Sequence, residues 1–370
     1  MSPRFSASLL AVAVLAGPTR AAEPVCDAPW NPVEKRIAKG DPAARAVLPP
    51  DVSGLPPAAP LAPALRGAIR RVELPPGEKL VALTFDLCET AGEIAGYDGA
   101  VVDELRKRKI PTTFFVGGHW ALTHPGRFGA IASDPLFEIA NHTWTHANLR
   151  TVDEARLKTE VLAPEAAFRA AVTGPLCPRP DAIAPTRRST LFRFPFGACD
   201  PRSMAAVNDA GMAAIQWDVS TGDPSPLMGA KAILEETLRG VRPGSIVLAH
   251  ANGRGHHTGE ALPQILDALE KRGYRFVTVS ELLTRGRPVI AETCYDAHPG
   301  DTDKYDKWVS GATRKPSTTP MPAPERPFDE EQRRRLPGIV PLDPTTPPTL
   351  PTTPPAIPPL RPGADGKKPQ

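Results

Sequence analysis

KLVALTFDL, residues 79–87, indicates the fold class when it is taken together with YDGAVVDELRKRK, residues 97–109. The first stretch is a continuous apolar run, which is typical of a strand buried on both faces. The second stretch has the apolar spacing of an amphipathic helix. A buried strand followed by such a helix predicts parallel strand pairing with a right-handed crossover.

The same alternation of strand and helix continues to residue 283. The further predicted strands are PTTFFVGG (111–118), LFEIANH (136–142), LFRFPFG (191–197), MAAIQWDVS (212–220), SIVLAHA (245–251) and the start of YRFVTVSELL (274–283). About seven such units favour an α/β fold in which the strands form a closed or nearly closed β/α barrel. An open, doubly wound sheet is the alternative.

Both ends of the chain differ from this middle part. MSPRFSASLLAVAVLAGPTRAAEP carries an arginine, a short apolar run and then small residues, which is the pattern of a secretory signal peptide cleaved near Ala21 or Ala22. A membrane anchor through the same run is the alternative. We therefore expect an exported protein, either periplasmic or secreted.

The 47 prolines cluster in two regions, which sets the predicted organisation of the chain. We divide it into a signal peptide (1–22), a Pro/Ala-rich N-terminal segment (23–74), a compact domain (75–287) and a Pro-rich C-terminal extension (288–370). Proline has no amide donor and such a segment buries little apolar surface, so we expect most of the extension to be disordered.

The charge limits the classes of partner that we expect, and the cysteine count limits the possible disulfides. The net charge of +3 is small and the basic residues are dispersed, so we predict no nucleic-acid partner. No other stretch is long enough to span a membrane, and no protein partner is predicted. Five cysteines leave at least one unpaired within the chain, and a bridge between Cys26 and Cys294 would close the ends of the domain.

Ionisable residues collect where the predicted strands end. In a β/α barrel the chemistry lies at the C-terminal ends of the strands, so these side chains should meet at one edge. They are Asp86, His142, His146, Arg193, Asp218, Asp223 and His250. Trp120 follows another strand end.

His142 and His146 are four positions apart in NHTWTH, directly after a predicted strand. If the intervening segment turns helically, the two imidazoles converge on one divalent metal ion, and zinc, cobalt or nickel suits neutral imidazole. On spacing alone, two histidines packed or solvated near a strand end explain the pattern equally well.

Four motifs in order resemble the polysaccharide deacetylase family, the NodB-homology domain of carbohydrate esterase family 4. They are LTFD (83–86), NHTWTH (141–146), RFPFG (193–197) and LAH (248–250), and the resemblance covers about residues 75–285. It implies a distorted barrel of seven or eight β/α units and a hydrolase that removes N-acetyl groups from an aminosugar polymer.

The resemblance also implies a role for each matching residue. Asp86 would be the general base, with Arg193 holding it ionised, and His250 would be the general acid, with Asp223 raising its pKa. The backbone amide of Phe196 would bind the oxyanion, and Leu248 would line the acetyl pocket. With a sugar as substrate, Trp120 could stack on the sugar ring. His142 and His146 would be metal ligands, and zinc, cobalt or nickel the metal.

The chain departs from the family where a second aspartate usually completes the metal site, because Leu87 stands there. We expect Glu89 to supply the third ligand. Ligation by Asp86 would compromise it as a base, and the Cys88 thiolate is a further candidate.

These residues favour a metal-dependent hydrolase acting on a peptidoglycan, chitin-like or matrix glycan. Leu87 motivates one alternative, a catalytically inactive barrel that binds glycans. The other alternative is a related amidase acting on a small carbon–nitrogen (non-peptide) amide. Amide hydrolysis needs a base, an acid and an oxyanion donor together, whereas a binding module needs none of them.

Overall fold

The computed structural model describes residues 29–40, 42–173 and 188–307. The predicted signal peptide, Cys26 and Cys177, and the extension beyond residue 307 lie outside this range. The strands are β1 (Ala38–Lys39), β2 (Ala68–Glu73), β3 (Leu80–Leu87), β4 (Glu93–Ile94), β5 (Thr112–Val116), β6 (Phe137–Asn141), β7 (Leu191–Phe192), β8 (Ala213–Ile215), β9 (Val219–Ser220), β10 (Ser245–His250), β11 (Arg275–Phe276) and β12 (Arg287–Ala291).

The described helices mostly follow strands and cover the outside of the sheet. They are α1 (Pro42–Ala46), α2 (Gly99–Arg108), α3 (Gly118–Thr123), α4 (Pro125–Ala132), α5 (Glu154–Thr173), α6 (Pro201–Asp209), α7 (Ala230–Gly240), α8 (Thr258–Lys271) and α9 (Val279–Arg285). The start of α6 is fixed by a capping box, in which the Asp200 side chain accepts from the Ser203 amide and Ser203 bonds back.

Seven strands close into a barrel, which confirms the predicted fold class. The order around the barrel is β3, β5, β6, β7, β8, β2, β10, and β10 pairs in turn with β3. Its pairs are parallel, except that β10 meets β2 through one antiparallel pair of residues, Ser245 and Arg71. This double pairing of β10 rules out the open doubly wound sheet.

The strand register brings the predicted polar residues to one edge of the barrel. His250 on β10 lies opposite Asp86 on β3, while Leu87 pairs with Val116 on β5. Val116 pairs with Asn141, and Asn141 pairs with Phe192. The residues that directly follow β6 and β7 are His142 and Arg193, so both project from the same edge as Asp86 and His250.

The segment before the barrel packs against it. The Ala44 carbonyl lies 2.8 Å from Nε2 of the buried His119. A side chain at Gly99 would collide with the Trp30 ring, so this glycine permits close approach of the N-terminal segment to α2. Among the described residues, no helix combines the length and apolar composition that a membrane crossing requires.

The chain after residue 287 continues the fold for twenty residues. β12 pairs antiparallel with β2 on the outside of the barrel. Cys294 forms a disulfide with Cys199, so the expected bridge between Cys26 and Cys294 is wrong. Cys199 lies just after the RFPFG motif, and the bridge ties the chain beyond the last strand to the edge that carries the site.

Candidate active site

The loop that carries His142 and His146 is not helical, contrary to the expected helical turn. Thr143 and His146 have positive φ angles of 67° and 54°, a conformation that is uncommon for β-branched Thr and for His. The buried Glu160 carboxylate on α5 holds the loop by accepting from the Thr145 amide and hydroxyl at 2.8 and 2.7 Å. The two imidazole rings converge through this bend, with centroids 5.0 Å apart.

The His142 ring is oriented by its second nitrogen. Nδ1 donates to the Arg193 carbonyl at 2.8 Å, which points Nε2 into the site. Nε2 is buried without a hydrogen-bond partner, and an Asp86 carboxylate oxygen lies 3.2 Å away. Burial lowers the pKa of His142, but the Asp86 charge outweighs it and raises that pKa to about 10. This position therefore favours positive charge, which a proton or a metal cation supplies.

His146 is in the form that binds metals. Burial, reinforced by the positive charges of His142 and Arg254, lowers the pKa of His146 well below its usual value, so the ring is neutral. One ligand atom from each of His142, His146 and Cys88 lies within 4.8 Å of the other two. These donors fit a divalent cation with affinity for nitrogen and sulfur.

Glu89 does not belong to this group, and the structure corrects its expected role as third ligand. Its carboxylate is buried and turned away into a separate network, accepting from the Ala95 amide at 2.7 Å and the Thr123 hydroxyl at 2.6 Å. His119 Nδ1 lies 2.5 Å from the same carboxylate. Leu87 is buried in the barrel core. Of residues 87–89, only Cys88 faces the two histidines.

Asp86 and Arg193 form a buried ion pair, with Nη1 donating to Oδ1 at 2.8 Å. The guanidinium also lies 3.8 Å from the Phe115 ring centroid and donates to the Ile215 and Gln216 carbonyls. Burial raises the Asp86 pKa, but the charges of His142 and Arg193 outweigh this and hold it well below its usual range. Asp86 is therefore ionised, and its second oxygen faces His142.

Across the site, His250 is paired with Asp223. Its Nδ1 donates to Oδ1 at 2.8 Å, while Oδ2 accepts from the His250 amide and the Thr258 hydroxyl. Burial lowers the pKa of His250, but the Asp223 charge outweighs this and raises it. Asp218 binds Arg242 and the Ile246 amide near the start of β10, so it lies at the other end of that strand.

Phe196 lies at the edge of the group formed by Cys88, His142 and His146. Its φ angle is 61°, and its ring contacts the His146 ring with centroids 4.6 Å apart. Tyr305 stacks on Phe196 at 5.0 Å. Leu248 precedes His250 by two positions, so the two side chains share one face of β10.

Trp120 cannot stack on a sugar as expected, because its side chain is fully buried. Its indole Nε1 donates to the Gly96 carbonyl at 3.1 Å, and its ring stacks on His124. Position after a strand is not enough to identify a surface aromatic, since the short helix α3 turns this residue inward.

Sequence reasoning missed Tyr305 and gave Cys88 too little weight. Tyr305 falls in the extension that was expected to be disordered, and no periodic pattern marks it. Cys88 did carry a signal, because it is two positions from Asp86 and follows the leucine that replaces a family ligand.

A family model described as "Polysaccharide deacetylase" matches residues 73–215. A peptidoglycan-N-acetylglucosamine deacetylase of Bacillus cereus is 32% identical over 214 residues, which are 57% of this chain and 91% of the relative. A chitooligosaccharide deacetylase of Bradyrhizobium is 30% identical over 221 residues, with 56% and 91% covered.

Solved structures support the fold. A peptidoglycan N-acetylglucosamine deacetylase crystallised with a hydroxamate-type benzamide superposes with a TM-score of 0.50 at 24% identity, covering 60% of this chain and 95% of that one. A CE4 family pseudoenzyme from Bacillus anthracis has the same TM-score and identity, with 63% and 73% covered. Enzymes and a pseudoenzyme thus share this fold, and the two sequence relatives carry the assignment: the chain belongs to the polysaccharide deacetylase family.

Proposed function

We propose that the protein is a metal-dependent deacetylase that hydrolyses N-acetyl groups of an aminosugar polymer. The observation that carries this proposal is the pairing across one barrel edge of an ionised carboxylate, Asp86, with an imidazole of raised pKa, His250. Two groups whose pKa values are driven apart in this way suit a base and an acid acting in one reaction.

His142 and His146 would hold the divalent cation, with a third ligand from the loop after β3. The buried Nε2 of His142 supports this assignment, since it has no hydrogen-bond partner among the described residues and the ionised Asp86 lies beside it. Zinc is the first expectation, and cobalt or nickel would also suit these donors. A cation held there would lower the pKa of a water molecule towards ~7 and polarise the acetyl carbonyl.

Asp86 would accept the proton from the attacking water. Its Oδ1 is held by Arg193, which leaves Oδ2 on the side of His142 for proton transfer. Because Arg193 is itself fixed by two backbone carbonyls, the carboxylate keeps both its charge and its orientation.

His250 would donate the proton that the amine leaving group needs. Asp223 fixes the tautomer through Nδ1, so the opposite nitrogen, Nε2, is the proton donor. A positioned acid or base of this kind typically contributes ~10²–10⁴-fold to the rate.

The acetyl group would lie between these two residues. The backbone amide of Phe196 would donate to the developing oxyanion, an interaction typically worth about 3–4 kcal/mol in the transition state. Leu248, on the same strand face as His250, would contact the acetyl methyl group.

The substrate class follows from the named relatives, which are deacetylases of peptidoglycan and of chitooligosaccharides. We infer a peptidoglycan, chitin-like or matrix glycan as substrate, which an exported enzyme would meet in the periplasm or outside the cell.

Acetate release tests this function. The chain from residue 23 onwards, loaded with zinc or cobalt, is incubated with N-acetylated peptidoglycan fragments and with chitooligosaccharides. We expect acetate from at least one substrate and its loss in the His142→Ala, His146→Ala double variant.

Leu87 gives the rival function, a barrel that binds glycans without hydrolysing them. Retained glycan binding with no acetate release from any N-acetylated glycan would support that rival. Release only from a small amide would support the amidase alternative.

A further inference from the structure

Cys88 is a buried free cysteine whose sulfur lies beside two imidazoles. Its side chain is 2% exposed, and it is the one free cysteine among the residues that the structure describes. Sγ and one nitrogen from each of His142 and His146 all lie within 4.8 Å of one another. Three soft or borderline donors at this separation can converge on one cation.

The backbone and its neighbours fix this position of Cys88. The side-chain amide of Asn252 donates to the Cys88 carbonyl at 2.7 Å, and the same nitrogen lies 3.4 Å from Sγ. This donor holds the Cys88 side chain in place from the side of β10. Gly117 packs closely on the other side, since a side chain there would come within 3.3 Å of Cys88.

The neighbouring residues cannot take the same role. The Leu87 side chain is apolar and packed in the core. Both carboxylate oxygens of Glu89 are occupied, one by the Ala95 amide and the other by His119 and Thr123. His142 keeps a buried nitrogen without a hydrogen-bond partner, which points to a ligand in this space.

We infer that the Cys88 thiolate, with His142 and His146, is the third protein ligand of the metal ion, in place of a carboxylate. This inference rests on the proposed metal-dependent function. The thiolate carries the same single negative charge as the carboxylate it replaces. Three protein ligands also leave one position open, as in catalytic zinc sites.

Sulfur in the ligand set has two consequences that a carboxylate would not have. It favours zinc or cobalt over magnesium, calcium or manganese, which prefer oxygen donors. It also makes the metal centre sensitive to thiol oxidation and alkylation, since the ligand is the reactive form of cysteine.

Cobalt binding tests the inference without any substrate. The metal-free full chain from residue 23 is titrated with Co²⁺, and the near-ultraviolet band of sulfur-to-cobalt charge transfer is recorded. We expect one Co²⁺ per chain with this band. Cys88→Asp, the matched variant, should bind Co²⁺ without the band. Cys88→Ser should bind Co²⁺ more weakly than the wild type, by a factor that exceeds the roughly 10–100-fold cost of losing an outer-shell partner.

Alkylation gives an independent readout. Iodoacetamide should label Cys88 in the metal-free protein, and Zn²⁺ should block that label, as peptide mass spectrometry can record. Circular dichroism of each variant separates loss of a ligand from loss of the fold.

The two proposals can fail separately. A Cys88→Ser protein that keeps both the cobalt affinity and the charge-transfer band of the wild type would overturn the thiolate ligand while leaving the deacetylase function standing. Wild-type protein that binds no Co²⁺ or Zn²⁺ at the two histidines would overturn both.

Discussion

At the scale of single residues, the proposed acid role of His250 predicts that its pairing with Asp223 sets the alkaline limit of activity. The Asp223 charge raises the pKa of His250, and the proposed acid must be protonated to act. Activity should therefore persist above the ordinary titration range of histidine and fall as the pH rises through this raised pKa. In Asp223→Asn the charge is lost, so the alkaline limb of kcat should move to lower pH, as a rate profile on a chitooligosaccharide will record.

Asp218→Asn is the matched control for this prediction. Asp218 lies near the start of β10 with Arg242 and the Ile246 amide, so its neutralisation should leave the alkaline limb in place. Equal profiles for Asp223→Asn and the wild type would show that His250 is not the group that limits the rate at high pH.

Sequence predicted the Asp223–His250 contact better than it predicted the surroundings of Glu89. His250 and Asp223 are set by strand ends and a family motif, both of which are local features. The orientation of the Glu89 carboxylate depends instead on His119 and Thr123, which are 30 and 34 residues away in the chain. A buried carboxylate needs hydrogen-bond partners, and those partners are visible only once the chain has folded.

At the scale of elements, the C-terminal segment (residues 292–307) forms part of the wall beside the site. Trp217 Nε1 donates to the Asp296 carboxylate at 2.8 Å, and the Thr302 hydroxyl donates to the Gly197 carbonyl. Tyr305 then stacks on Phe196. The sequence could not predict this segment, because it has no periodic pattern and its contacts are with loops distant in the chain.

The disulfide of this segment should matter for both stability and activity. Cys199 and Cys294 are 95 residues apart, so the bridge restricts a long loop in the unfolded chain. The Cys199→Ser, Cys294→Ser double variant should lose about 2–4 kcal/mol of unfolding free energy, measured by denaturant titration. Its KM for a glycan should also rise, because the Tyr305–Phe196 contact is no longer anchored.

An unchanged unfolding midpoint in this double variant would contradict the first expectation. A lower midpoint with an unchanged KM would show that the disulfide contributes to stability alone. It would also show that Tyr305 does not contribute to glycan binding.

At the scale of the whole molecule, the barrel could be predicted from the sequence. The N-terminal covering (residues 29–40 and 42–67) largely could not. The barrel follows from continuous apolar strands that alternate with helices, a pattern carried by each unit in turn. The barrel closes because β10 pairs with both β2 and β3, and the sequence does not specify the register of these pairs. The packing of residues 29–40 and 42–67 has no sequence signal beyond its proline content, because its contacts are irregular and made with residues distant in the chain.

This covering should be required for a stable barrel, although it precedes the first barrel strand. Lys35 pairs with the buried Asp98 at 2.8 Å, and the Ala44 carbonyl partners the buried His119. A chain that starts at residue 68 loses both of these interactions, at roughly 1–3 kcal/mol each. We expect its unfolding free energy to fall by about 2–6 kcal/mol relative to a chain that starts at residue 29. A chain that ends at residue 307 loses none of the described contacts and serves as the control. Equal denaturation midpoints for the chains that start at residues 29 and 68 would show that the barrel is equally stable without the N-terminal covering.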